Sequence, residues 1–353
     1  MKQKILFDNI IYSLQQNGGI SSIWAILQNA ILNNNDFECK FIEYNNAETN
    51  NIYRKKLNLP HQNIINPKSF FPIEIERYCK AKMPIDETFD IFHSSYYRIP
   101  SNHRGKTIVT VHDFIYEKHM PIISRSIHCK QKYSAIYNAD LVVCVSQSTR
   151  NDLLHYLPNL DKNKITIIYN GISPDFHKKE DIEHSNRILF VGSRAKYKNF
   201  ELLIETLTET SSNLDICGNP LSKKEQNYLN SKLGIERYKV YTNINNIILN
   251  DLYNSAYCLI YPSSYEGFGL PIIEAQQAGC PVIALNRSSV PEIIGETPLL
   301  MNEPTKQELL TSLKKLKSQS TYNEVIECGL VNSQRFTSKA MTDAYIDLYR
   351  HLI

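Results

Sequence analysis

The residues of this 353-residue chain best placed for chemistry lie in YPSSYEGFGLPIIEAQQAG, positions 261–279. The apolar run AYCLIYP reads as a buried strand ending in a loop that holds Glu266, Gly267, Phe268 and Gly269. Pro271 stands where a helix should begin, since its ring presets φ and its missing N–H costs nothing in a first turn. Ile272, Ile273, Ala275 and Ala278 continue as a buried helical face that Gly279 stops. A glycine-loosened loop feeding a helix N-terminus offers unpaired backbone N–H groups and the positive end of a dipole, which suits phosphate. Glu266 precedes that helix. Glu274 is expected in its first turn, where a carboxylate can accept hydrogen bonds from sugar hydroxyls. The plainer reading is a strand-to-helix turn with one acid tuning the dipole.

A second candidate is FVGSRAKYKNF, positions 190–200, which ends another strand and opens another helix. Arg194, Lys196 and Lys198 crowd one turn there. Fixed cations in such a place would stabilise a departing diphosphate. A solvated basic turn is the alternative.

Both segments need a scaffold, and the rest of the sequence supplies one. Strand-like runs occur at KILFDNII, KFIEY, FDIFHSS, KTIVTVHD, ADLVVCVS and ITIIYNG, then at RILFVGS, LDICG, KVYTN, AYCLIYPSS and PVIALN. Helical periods at 20–32, 124–138 and 148–157 lie between them. Continuous Val/Ile/Leu runs, not alternating ones, mark strands covered on both faces and hence parallel sheets wrapped by helices. The runs are too many for one sheet of usual width. The natural cut follows Asn170-Gly171, where ISPDFHKKEDIEHSN is polar and reads as a linker. The expected α/β architecture is two doubly wound parallel-sheet (Rossmann-like) domains, 1–172 and 173–337, facing each other across a cleft.

Composition narrows the function. The 39 Lys+Arg nearly cancel the 36 Asp+Glu, so nucleic-acid binding is not expected. No apolar run approaches the roughly 20 residues of a membrane-spanning helix. The opening MKQKILFDNII reads as a first buried strand and not as a signal peptide. Eight cysteines without a C-x-x-C pair argue against a metal site and for a reducing, cytoplasmic setting.

E-G-F-G-L-P-I-I-E, from Glu266 to Glu274, resembles the E-x7-E signature of family-4 glycosyltransferases, retaining enzymes of the two-Rossmann-domain (GT-B) type. The resemblance extends over nearly the whole chain, and with it come expected roles. Glu274 would bind the ribose of a nucleotide-sugar. Glu266 and the amides of Gly267, Phe268, Gly269 and Leu270 would hold the donor sugar. Lys198 matches the family's phosphate lysine, whereas Arg194 stands one place beyond its usual arginine, where this chain has Ser193. Gly18 and Gly19 of QQNGGIS resemble the N-terminal glycine loop beneath the donor. His112 of TVHDF resembles a histidine that contacts donor sugar or acceptor, with Asp113 as an acceptor contact or as the cap of the next turn. Ser146 or Ser148 of VSQST is expected to cap the following helix, and base recognition is expected on the loop at Gly218-Asn219 and the stretch 241–247, with Ile244 beside the donor.

The implied reaction is retaining transfer of a hexose to a glycan or lipid-linked glycan in surface-polysaccharide (O-antigen or capsule-like) synthesis. The combination VHDFIYE and GSRAKYKNF resembles bacterial mannosyltransferases, so GDP-mannose is the first donor expected and a UDP-hexose the second. No D-x-D occurs in the chain, so neither metal nor resident cofactor is expected. The competing readings are a catalytically silent nucleotide-sugar-binding subunit and an epimerase on the same architecture. KSFFPIEIERYCKAKM, positions 68–83, reads as an amphipathic basic helix able to rest on the cytoplasmic face of an inner membrane. Helix 338–353 is expected to pack back on the first domain.

Overall fold

The computed structural model describes residues 2–44, 46–83, 88–102, 105–180, 182 and 185–352. Asp181, Glu183 and His184 of the expected linker and the terminal Ile353 lie outside them. The chain forms two compact units, Met1–Gly171 with Ser338–Ile353, and Ile172–Thr337.

The first unit is built on a parallel sheet of β1 (Gln3–Asp8), β2 (Phe37–Ile42), β3 (Ile64–Ile65), β4 (Ile91–Ser94), β5 (Lys106–Val111), β6 (Leu141–Cys144) and β7 (Ile165–Ile167). Their spatial order is β3-β2-β1-β4-β5-β6-β7. The second unit repeats the plan with β8 (Arg187–Val191), β9 (Asn213–Cys217), β10 (Tyr238–Tyr241), β11 (Cys258–Tyr261), β12 (Val282–Leu285) and β13 (Leu300–Met301), ordered β10-β9-β8-β11-β12-β13. In each sheet the chain starts in the middle, winds to one edge, and crosses back to wind to the other. Ligand crevices of such sheets form outside the carboxyl ends of the two strands at the crossover, here β1/β4 and β8/β11.

Most of the runs that looked buried are buried, while the edge strands β7 and β10 are only half-buried. Ile188, Leu189, Leu259, Ile260 and Ile283 are completely enclosed, as are Ile5, Leu6, Phe92, Val109 and Val142. Two differences from the sequence reading have local causes. The first run expected to continue through Ile11 stops at Asp8, and Ile10–Leu14 turns helical. The buried Asn9 side chain explains the break: it donates to Glu43 Oε1 (2.8 Å) and accepts from Trp24 Nε1 (2.8 Å). Strands β3 and β13 escaped notice because two residues make no period.

The expected helix at 68–83 is a correction. Only Ile73–Glu76 is helical. Pro72 caps that turn, and its fixed ring bars helix on its N-terminal side. Beyond it Ala81 bridges to Pro100 in extended form. Glu76, which an amphipathic helix would have left in water, is buried beside Arg98, with its Oε1 3.1 Å from the Tyr44 hydroxyl.

The C-terminal helix, Ser338–His351, belongs to the first unit. Tyr349 is fully enclosed, its hydroxyl 2.7 Å from His93 Nδ1, and Tyr345 OH lies 3.4 Å from Thr110 Oγ1.

Candidate functional site

At the β8/β11 crossover of the second unit, two loops are stitched together. The left-handed Asn199 donates from its side chain to the Pro262 carbonyl and to Ser264 Oγ, each at 2.7 Å, while Ser264 N–H donates to the Tyr197 carbonyl at 2.7 Å. This stitching carries Lys198 across to the loop after β11. Its ammonium pairs with Glu266 Oε1 and stands 3.3 Å from the Tyr261 hydroxyl.

The Glu266 loop is held from below by Ser288 and Ser289. Ser289 Oγ, completely buried, lies 2.9 Å from the carbonyl oxygens of both Glu266 and Phe268. Ser288 Oγ accepts from Glu266 N–H at 2.8 Å. Gly269 then takes φ +104°, a conformation that L side chains rarely adopt, and a β-carbon there would meet Ile272 Cδ1 at 3.1 Å. Phe268 turns inward, edge-on to Phe336 at 5.7 Å, so only its backbone can serve a ligand.

The following helix runs Leu270–Gln277, with Pro271 as its second residue. Glu274 therefore sits one turn further in than expected. It remains partly open to solvent, and Tyr253 donates its hydroxyl to Glu274 Oε2 at 3.0 Å. The dense surroundings raise its pKa to about 7, an effect that the Tyr253 hydrogen bond only partly offsets.

Arg194 points elsewhere. Its Nε donates to Glu225 Oε1 at 2.6 Å, and its terminal nitrogens donate to the carbonyls of Asn219 (3.0 Å) and Pro220 (2.9 Å). Glu225 also closes the capping box of helix Lys223–Lys232 with Ser222, and its pKa falls to about 2, chiefly through the Arg194 hydrogen bond. The structure thus brings Lys198, Glu266 and the 267–270 backbone together and ties Arg194 to the loop after β9. Gly218 in that loop lies so close to β8 that a β-carbon would come within 2.4 Å of the Gly192 carbonyl oxygen. Ile244, half-buried, follows the left-handed Asn243 beyond β10.

The remaining candidates belong to the first unit. Gly18 and Gly19 open helix Gly19–Leu32 after β1. His112 is the first residue past β5, and its N–H donates to Tyr97 OH at 3.4 Å. Burial, with the nearby Lys132 charge, lowers its pKa to about 4. Asp113 Oδ1 accepts from Ile115 N–H at 2.9 Å, the turn-capping role weighed from the sequence. Ser146 caps helix Gln147–Tyr156 through Thr149 N–H. Among the described residues no cluster of His, Cys, Asp or Glu forms a metal centre.

Sequence reasoning missed Tyr253, Tyr261, Ser288, Ser289 and Lys132. Tyr261 stood within the motif already singled out, and the two serines directly precede VPEIIG. Tyr253 and Lys132 carried no signal, because each reaches its partner only through the tertiary fold.

Residues 172–329 match the family model described as Glycosyl transferases group 1, and residues 43–176 match the one described as Glycosyltransferase Family 4. The chain is 29% identical to the uncharacterized glycosyltransferase MJ1607 of Methanocaldococcus jannaschii, over 48% of each chain. It is 25% identical to O-antigen chain mannosyltransferase B of Escherichia coli, over 74% of each. The chain therefore spans about half the length of the first relative and three quarters of the second. Among solved structures, Anabaena HepE in complex with UDP-glucose superposes with a TM-score of 0.74 at 15% identity, covering 99% of this chain and 100% of that one. That likeness is one of fold.

Proposed function

Because the chain belongs to the family-4 glycosyltransferases of the GT-B type, we propose that it moves a hexose from a nucleotide-sugar to a hydroxyl of a glycan or lipid-linked glycan in surface-polysaccharide synthesis. The observation that carries this reading is the joining of Lys198, Glu266 and the 267–270 amides at one strand crossover, with Glu274 one turn along the same helix. Lys198 and the amides would neutralise the departing diphosphate, so the step needs no metal. Glu266 would hold the sugar and Glu274 the ribose. Retention follows if the acceptor hydroxyl attacks the face that the phosphate leaves. The C1–O bond to phosphate breaks, a C1–O bond to the acceptor forms, and the hydroxyl proton passes to the leaving phosphate oxygen. The name of mannosyltransferase B favours GDP-mannose, and the HepE complex keeps a UDP-hexose as the second donor.

The test is nucleoside diphosphate release from GDP-mannose and UDP-glucose, alongside thermal shifts with each donor. Wild type should release diphosphate and be stabilised by one donor, and Lys198→Ala should lose the release. Neither turnover nor stabilisation with any nucleotide-sugar would overturn the reading.

A second reading concerns location. No helix among the described residues is long and apolar enough to cross a membrane. The first unit nevertheless exposes Phe70 (82%), Phe71 and Ile75, and also Ile122 (70%), Ile123 (78%) and Ile127. The two segments adjoin, since Gln131 donates to the Arg77 carbonyl and Tyr78–Lys80 share a cavity of about 340 Å³ with Ile127 and Lys130. Exposed Lys68, Lys80 and Lys130 accompany the patch, and Lys82 lies over the Phe70 ring at 4.8 Å. That pairing of apolar and basic groups suits an anionic leaflet on the cytoplasmic face. Wild type should float with phosphatidylglycerol vesicles and not with phosphatidylcholine ones, and Ile122→Ser/Ile123→Ser should abolish flotation. Equal flotation of wild type and variant would sink this contact.

A further inference from the structure

A buried ammonium lies beneath the His112–Asp113 turn. Lys132, midway along helix Ile122–Asn138, is buried. Its Nζ stands 3.0 Å from Glu117 Oε1 on helix Ile115–His119 and 3.4 Å from the centre of the Phe114 ring, and it donates to the Asp113 carbonyl. Both charged side chains are shut away from water, at 1% and 2% exposure.

Such a pair is a poor source of stability, because desolvating two ions roughly cancels their attraction and a well-packed apolar pair often serves as well. What an ion pair supplies and an apolar pair cannot is direction and charge. The direction here is toward the carbonyl one residue past His112. The charge adds to burial, the larger cause, in holding the His112 pKa down, and His112 in turn bears on His93 of β4; the His112 N–H donates to Tyr97 OH and Asp113 follows it in the turn. Glu117 balances the lysine across their 3.0 Å ion pair.

We propose that Lys132 is a positioning residue: clamped by Glu117, it pins the His112–Asp113 turn and so fixes how His112 is presented as a hydrogen-bonding group. This inference rests on the glycosyltransferase reading for its consequence in turnover, but the clamp itself can be tested without activity. In wild type labelled on histidine, with His112 assigned through His112→Gln, the ring should stay neutral to well below pH 6. In Lys132→Met/Glu117→Gln, which removes both charges and strands neither, the His112 midpoint should rise by up to about one unit, burial still holding it below the free value. In the same variant kcat should fall about tenfold, with donor KM nearly unchanged, and the acid limb of the rate profile should move up with the His112 midpoint. A wild-type His112 titrating near pH 6.5 overturns the proposal even if the variant fails to fold. So does a folded variant with wild-type midpoint and kcat. A wild type that transfers no sugar counts against the function and leaves the titration to judge the clamp.

Discussion

Glu266 is the counter-charge of Lys198. Their side chains, 10% and 11% exposed, pair inside the second unit, with Tyr261 OH 3.3 Å from the ammonium. Any diphosphate recruited by this lysine must compete with, or bind beside, a carboxylate that already holds it. The arrangement keeps the cation aimed from a largely buried position.

Removing the lysine alone should therefore do two things. Lys198→Met leaves a buried carboxylate without its partner, costing about 2–4 kcal/mol of stability, and lowers turnover on the order of 10²–10³-fold. Lys198→Met/Glu266→Gln should regain most of the stability and none of the turnover. Urea denaturation and diphosphate release separate the two effects.

Arg194 should behave in the opposite way. Its guanidinium ties the loop after β9 to Glu225. Arg194→Ala should cost about 1–2 kcal/mol and leave kcat within a few-fold of wild type. A collapse of turnover equal to that of Lys198→Ala would show that Arg194 reaches phosphate after all.

Glu274 gives a pH signature. Its folded pKa of about 7 lies above the ordinary carboxylate value, so the folded state holds its proton more tightly than the unfolded chain. Stability from this group is full below about pH 4 and is lost as pH rises to about 7. Glu274→Gln should thus raise stability by about 1–2 kcal/mol at pH 8 and change little at pH 4. If the carboxylate reads ribose, donor KM in wild type should rise as pH falls through 7, while the variant shows a weak donor KM without that dependence. A pH-independent wild-type KM would contradict the ribose role.

The loop should respond to its tethers. Ser289→Ala removes the hydroxyl shared by the Glu266 and Phe268 carbonyls, and Gly269→Ala forces a β-carbon into a left-handed position. Each should cost about 1–3 kcal/mol and raise donor KM more than it lowers expression. Isothermal titration with the donor's nucleoside diphosphate reads the change directly. Wild-type affinity in both variants would show that the loop does not bear on the donor.

His93 should make the first unit acid-sensitive. Enclosed between Tyr349 OH and Thr110 Oγ1, it has a pKa lowered to about 3 by burial. The unfolded chain binds the proton more readily, so stability is full above about pH 6.5 and declines as pH falls toward 3. Tyr349→Phe should cost about 1–3 kcal/mol and loosen the C-terminal helix, read by amide exchange over 338–351.

Much of this was legible in the residues. The unbroken apolar runs announced parallel sheets, and E-G-F-G-L-P-I-I-E announced a glycine-bearing loop running into a helix N-terminus, because these depend on neighbours a few positions apart. The segment 68–83 was misread for the converse reason. Its apolar and basic residues fit a helical face, but Glu76 is drawn into the interior by Arg98, a partner 22 positions away.

The sequence by itself determined the two sheets, the break near Gly171, and the identity of the chemical groups at Glu266, Glu274 and Lys198. Tertiary structure alone decided which of those groups meet. Lys198 and Arg194 are near-equivalent cations four residues apart, yet the Asn199 contacts swing one toward Glu266 while Glu225 captures the other. Local propensity extends over a few residues, whereas the pairing of charges and the desolvation that shifts Glu274, His93 and His112 arise only when distant strands and helices close around them.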